Sequence, residues 1–301
     1  MSNSRPVEFD QYWKETLDEL SRTPANPEVE LIPIRCTDYA TMYGVRLTSI
    51  GPYRLFAYLS IPPGEGPFPA IYYTSKYQSV VEPIPQGSPN LQRGRYITFS
   101  CGARGQRNVD EPYSAKFPGQ LTEKIDDSGS YIFRGIAADC VRGLEYLLSR
   151  TEVDRDRIMA VGNDMALITA ALTQGVTHVI STPALFLDTC ELASKTEAYP
   201  LEEINDYLRA FPDREAAVRA TLAHMDLRWF APEVGASTLI MAGAPGSLLD
   251  GPALESVRSG ISGEAEVHDS ENSSYRDGLF VEEWIARKFG YAEAIVPEGW
   301  R

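Results

Sequence analysis

Arg157-Ile158-Met159-Ala160-Val161-Gly162-Asn163-Asp164-Met165-Ala166-Leu167-Ile168-Thr169-Ala170-Ala171-Leu172 is the stretch that decides the architecture of this chain. Residues 157–161 form an apolar, strand-like run, and Met165–Leu172 is an apolar helical run. Only Gly162 and two further residues separate them. A strand that gives way to a helix over so short a link turns sharply at the carboxyl edge of its sheet, and such a turn pushes one side chain above the sheet. By position that side chain belongs to Asp164.

The same alternation extends in both directions. From residue 131 the apolar period is 3.6: Ile132, Phe133, Ile136, Cys140, Val141, Leu144 and Leu148 form one long face, which predicts a buried amphipathic helix. After residue 172 come a strand at His178–Ser181, a helix-rich insertion at Leu185–Trp229, a strand at Thr238–Ala242, a helix near Ala253–Val257, a strand at Ala265–His268 and a helix at Phe280–Phe289. Upstream, strands are expected around Glu30–Cys36, Val45–Ile50, Arg54–Ile61, Ala70–Thr74 and Tyr96–Cys101, preceded by a helix with Phe9, Trp13, Leu17 and Leu20 on one stripe. Alternating strands and helices predict an α/β fold whose mostly parallel central sheet is covered on both faces. No repeat or composition break divides residues 1–301, so a single domain is expected.

Composition narrows the partners. Apolar residues make up 43% and charged residues 23%, which is enough apolar material for a sizeable core. A net charge of -14 disfavours nucleic acid and anionic membrane surfaces. No apolar run reaches membrane-spanning length and no secretory leader opens the chain. Cys36, Cys101, Cys140 and Cys190 lack metal-like spacing and read as buried thiols of a reducing, cytoplasmic compartment. The three histidines are not paired at ligand spacing, so neither a metal nor another cofactor is expected.

Several short motifs, in order, carry a resemblance. Phe9-Asp10-x-Tyr12-Trp13 is similar to an F-D-x-[FY]-W helix, and Arg104-Gly105-Gln106 to an R-G-Q motif after a strand. Pro118-Gly119-x-Leu121-Thr122 follows, then Tyr131, Arg134, Asp139 and Arg142, then Glu152-Val153-Asp154-x-x-Arg157-Ile158. Together these resemble the acetyl-xylan esterase and cephalosporin-C deacetylase family of α/β-hydrolases, and the match covers nearly the whole chain. The resemblance implies an α/β-hydrolase fold, a serine esterase triad and a ring-like homo-oligomer, commonly a hexamer.

The triad pattern itself departs from the family at each member. The family elbow is G-x-S-Q-G-G; here it is Gly162-Asn163-Asp164-Met165-Ala166-Leu167. Gly246 stands where the acid is expected; for the histidine, counting back from Trp284-Ile285 lands on Ser270-Glu271 and counting forward from the last strand lands near Ser273, and neither meets a histidine. Without hydroxyl and imidazole there is neither an acyl-enzyme nor a base to make one.

Each remaining candidate has two readings. Asp164 is either a carboxylate nucleophile, as in haloalkane dehalogenases and epoxide hydrolases, or a cap for the following helix. His268 is the candidate base for the first reading, or a surface histidine beside a loop. The resemblance makes the backbone amides of Tyr77 and Met165 an oxyanion pair; otherwise Tyr77 is a packing aromatic. Lys76 either points inward to neutralise Asp164 or outward into water. Arg104, with Gln106 in the same motif, either holds a carboxylate bidentately or braces the loop beside the site. The helices of Leu201–Leu222 read as a solvated cover. The expectation is an acetyl-xylan-esterase-like homologue that is not a conventional serine esterase: a pseudoenzyme binding a small molecule, or an enzyme of altered chemistry such as an Asp164-dependent hydrolase, lyase or isomerase.

Overall fold

The structure is a computed structural model; it describes residues 4–78, 80–81, 84, 88–107 and 113–296, without the side chains of 88–90. In chain order its elements are α1 (Phe9–Arg22), β1 (Glu28–Leu31), β2 (Thr41–Ser49), β3 (Tyr53–Ile61), β4 (Phe68–Tyr73), β5 (Ile97–Cys101), α2 (Ile132–Ser149), β6 (Val153–Gly162), α3 (Asp164–Leu172) and β7 (His178–Ser181). Then follow α4 (Thr189–Ala193), α5 (Glu202–Ala210), α6 (Glu215–Ala223), α7 (Leu227–Phe230), β8 (Ser237–Ala242), α8 (Gly251–Arg258), β9 (Ala265–Asp269) and α9 (Ser274–Phe289).

The strands form one nine-stranded sheet in the order β1-β2-β3-β5-β4-β6-β7-β8-β9. The pairings β1–β2, β2–β3 and β3–β5 are antiparallel, and all pairings from β5–β4 to β8–β9 are parallel. This is the mostly parallel α/β-hydrolase sheet that the alternation predicts. Successive residues of the central strands enter opposite layers, as the strand period requires. Ala160, Val179 and Ile240 pack with α2, α3 and the insertion, whereas Met159, Ile180 and Leu239 pack under α9 with Trp284 and Phe289. Helix α1 joins the first layer through Phe9 and Trp13, and Leu20 packs on Ala138 and Val141 of α2.

One expectation fails at the front of the sheet. The strand expected at Glu30–Cys36 is β1, which ends at Leu31, followed by a 3-10 turn at Pro33–Arg35. Pro33 has no amide hydrogen to give to a ladder, so the strand stops. Of the cysteines, Cys101 and Cys140 are buried while Cys36 and Cys190 are half-buried, and all four are free thiols. Among the described residues no helix is long and apolar enough to cross a membrane.

Glu282 occupies the inward stripe of α9 with Ile285 and Phe289, close to Tyr96. Burial alone pushes its carboxyl from 4.5 up to about 7. An acid whose folded-state pKa is raised contributes stability that is complete below pH 4.5 and lost as pH climbs through 7. Between pH 4.5 and 8 the native chain should therefore lose roughly 2–3 kcal/mol relative to Glu282→Gln, read by urea denaturation at a series of pH values. Parallel pH profiles for the two proteins would show that the carboxyl is not desolvated.

Candidate functional site

A cavity of about 170 Å³ lies where the turn after β4, the turn after β6 and the loop after β7 meet. Its described wall contains every pocket residue expected from sequence: Lys76, Tyr77, Arg104, Gln106, Asp164 and Met165. Phe133 and Ile136 of α2, together with Leu185 and Pro200 from the insertion, make up most of the remaining surface, and the exposed lining is mainly apolar.

Asp164 does not protrude. Its residue is 2% exposed, and its carboxylate accepts three consecutive amides of the loop after β7. Ala184 N–H donates to Oδ2 at 3.1 Å, Leu185 N–H is shared between Oδ1 at 3.1 Å and Oδ2 at 3.3 Å, and Phe186 N–H donates to Oδ1 at 2.9 Å. The register of the sheet sets this up: Gly162 pairs with Ser181, and Thr182 N–H donates to the Gly162 carbonyl at 2.9 Å, so the outgoing loop passes beside the turn. Burial pushes the Asp164 carboxyl above its ordinary range, and the amides of Phe186, Leu185 and Ala184 pull back toward ionisation.

The cap reading is corrected too. Asp164 is the first residue of α3 rather than the one before it, and its carboxylate reaches forward to residues 184–186. Asn163 precedes the helix with φ -87° and ψ -140°, and neither residue takes the left-handed backbone. A nucleophile elbow is a strained turn; this one has no residue at positive φ.

The other candidates divide between wall-building and water. Lys76 is exposed and does not neutralise Asp164; its carbonyl accepts Gln106 Nε2 at 3.1 Å. Gln106 also accepts Ala103 N–H through Oε1 at 2.9 Å, which ties the loop after β5 to the turn after β4. Arg104 does hold a carboxylate bidentately, but it is the protein's own: Nε and Nη2 donate to Asp139 Oδ2 and Oδ1 at 2.9 and 2.8 Å. Tyr77 lies parallel to Phe133 with ring centroids 6.3 Å apart, and its hydroxyl donates to Glu203 Oε1. Met165 is buried at the start of α3.

His268 is not brought to Asp164. Its ring stacks on Phe280 of α9 at 4.0 Å, its Nε2 is 3.1 Å from Asp277 Oδ1, and it is not among the described residues of the cavity wall. Alternation puts it on the α9 side of β9, the layer opposite α2 and α3. Ser270 donates to Asp277 Oδ2 at 2.7 Å. Gly246 has φ +84°, a backbone that suits glycine and resists aspartate.

Sequence reasoning misses Glu203, which it assigns to a solvated cover. The Glu203 carboxylate is buried, takes the Tyr77 hydroxyl and accepts Leu121 N–H at 2.9 Å. Burial raises its pKa while Tyr77 and Leu121 oppose the rise. One signal could have found it: Glu203 and Tyr207 stand one helical turn apart on the buried side of α5.

Sheet order, elbow position and helical roof define an α/β-hydrolase. The acetyl xylan esterase family model matches residues 1–248, and the chain belongs to that family. Acetyl esterase Axe7A of Xylanibacter ruminicola is 25% identical over 210 residues, 65% of this chain and 47% of that protein, so the chain spans about half the length of this curated relative. Acetyl xylan esterase 1 from Thermoanaerobacterium sp. JW/SL YS485 superimposes with a TM-score of 0.80 at 22% identity, covering 95% of each chain. The acetyl xylan esterase from Paenibacillus sp. R4 gives 0.79 at 20% identity, covering 94% of this chain and 95% of its own.

Asp164→Ala strands three buried amides and should cost roughly 2–4 kcal/mol by urea denaturation. Asp164→Asn keeps one acceptor oxygen but turns an NH2 group toward an N–H, and should cost about 1–2 kcal/mol. A loss under about 0.5 kcal/mol for Asp164→Ala would mean that the clamp is not structural.

Proposed function

We propose that this chain is a non-hydrolytic member of the acetyl xylan esterase family, a pseudoenzyme that keeps the pocket to bind a small molecule. The observation that carries this reading is the Asp164 carboxylate, 2% exposed and fully engaged by the amides of residues 184–186. A carboxylate nucleophile needs an oxygen facing its target and a base to activate water afterwards. Both oxygens already accept hydrogen bonds inside the protein, and no histidine is among the described residues of the wall. Gly246 and Ser270, at the positions where an acid and a histidine are expected, support the same reading, as does the mainly apolar lining.

The surroundings we infer are a reducing, cytoplasmic compartment and a homo-oligomer, with no nucleic-acid or membrane partner, in keeping with four free thiols and a charge of -14. Light scattering should return a multiple of the 33.4 kDa chain mass; a monomer mass across a wide concentration range refutes the assembly.

Hydrolysis of p-nitrophenyl acetate should barely exceed background, and a fluorophosphonate should label no serine. Asp164→Ser alone should recover no turnover, because base and acid are still missing. Robust turnover by the native chain that vanishes in Asp164→Ala would overturn the non-hydrolytic reading in favour of an aspartate-dependent enzyme. Turnover gained by Asp164→Ser alone would reveal a base elsewhere in the chain; the triple reversion Asp164→Ser, Gly246→Asp, Ser270→His is the comparison that measures how much relay chemistry the scaffold still accepts.

A further inference from the structure

The chemistry of the cavity narrows what it can hold once the pocket is taken as a binding site rather than a hydrolytic one. Resting on that reading, we propose that it takes a small uncharged ring of benzene-to-toluene size. Volume sets the first limit. The space is about 170 Å³, and an apolar protein cavity of about 150 Å³ is enough to bind benzene. A guest with six or seven ring and methyl carbons fills it; a two-ring biaryl has to leave part of its surface in water.

Charge sets the second limit. Apart from the exposed Lys76, the ionic groups of the described wall, Arg104 and Asp164, are committed to the protein. Arg104 is bidentate to Asp139 and also donates to the Ile50 carbonyl at 2.9 Å. Asp164 is bound by three amides. Of the side-chain amides, Gln106 bonds at both ends and Gln120 accepts Gln78 N–H at 3.3 Å while donating to the Arg104 carbonyl at 3.3 Å, and the third of the described lining, Asn163, carries no charge. Lys76 is the exposed residue of the described lining, so its charge stays in contact with water. A charged guest would lose its water without finding a partner inside, a cost an uncharged one does not meet.

The form of the lining favours a flat guest. Phe133 packs parallel to Tyr77 and edge-on to Phe186 at 4.9 Å, so the α2 side of the cavity is a fixed aromatic wall. Ile136, Met165 and Leu185 complete an apolar surface. Aromatic guests gain offset or edge contacts on such a wall beyond simple area burial.

The test uses the full chain and fluorobenzene as the probe, followed by 19F NMR, with toluene, benzoate and biphenyl as competitors. Saturable fluorobenzene binding is expected, displaced by toluene, with benzoate and biphenyl each at least tenfold weaker. Ala184→Phe, which projects a ring into the space while keeping the residue 184 amide for Asp164, should weaken fluorobenzene at least tenfold. Absence of saturable binding, benzoate or biphenyl competing as well as toluene, or an Ala184→Phe chain that folds and binds unchanged would each overturn the proposal. If that variant does not fold, the size and charge series on the native chain decides alone. The two readings separate cleanly: acetate turnover together with ring binding sinks the non-hydrolytic reading only, and silence in both assays sinks this proposal only.

Discussion

The bond set between Asp164 and the amides of residues 184–186 is the constraint on which the upper half of this molecule depends. Taking a carboxylate out of water costs several kcal/mol. Three charge-assisted N–H bonds, each worth about 1.5–3 kcal/mol, offset much of that. The upward displacement of the Asp164 titration says that burial retains the edge. Such a bond set holds tightly because neither side has water to fall back on. It fixes the loop after β7, and that loop opens the insertion. Phe186 packs against Phe133, and its carbonyl accepts Leu227 N–H at 2.8 Å, so α7 is fastened to the same point. The roof of the cavity is thus anchored by the side chain that, in a hydrolase, would do the chemistry.

A second set of bonds gives the family's short motifs a structural duty. Gly105 has φ +84°, and a β-carbon there would meet Gln120 Nε2 at 1.9 Å. A β-carbon on Gly119 would fall 2.1 Å from the Glu203 carboxyl. These glycines let Gln120 and Glu203 close against the loops that carry Arg104 and Leu121. Arg104, Gln106 and the Pro118–Thr122 loop therefore build the wall by packing and hydrogen bonding, a duty independent of any nucleophile. Motifs of this kind report the scaffold.

The same distinction sets how much of the molecule is legible in its sequence. The strand-turn-helix at Val161–Met165, the period change at residue 131 and the His178–Ser181 strand locate the mostly parallel sheet and the elbow, because period and turn length are local properties. The site residues gather around one cavity for the same reason: they sit at strand ends. Their partners are not legible. Nothing in the sequence near Arg104 announces Asp139, 35 positions later, and nothing near Asp164 announces the amides of Ala184 to Phe186, since backbone donors carry no sequence signature. Counting residues draws His268 toward the site, whereas strand alternation already assigns it to the α9 layer.

The backbone of this turn and the side chain it carries act together. A strained turn persists when the surroundings over-determine it, commonly at a cost of about 1–3 kcal/mol that function requires. Here Asn163 and Asp164 avoid the left-handed region, α3 takes in residue 164 itself, and that side chain, part of the cavity wall, accepts amides of the β7 loop. The identity of residue 164 and the geometry of its backbone thus support one another: aspartate has two acceptor oxygens that can span three successive amides, whereas a serine hydroxyl at the same place would satisfy at most one or two of them.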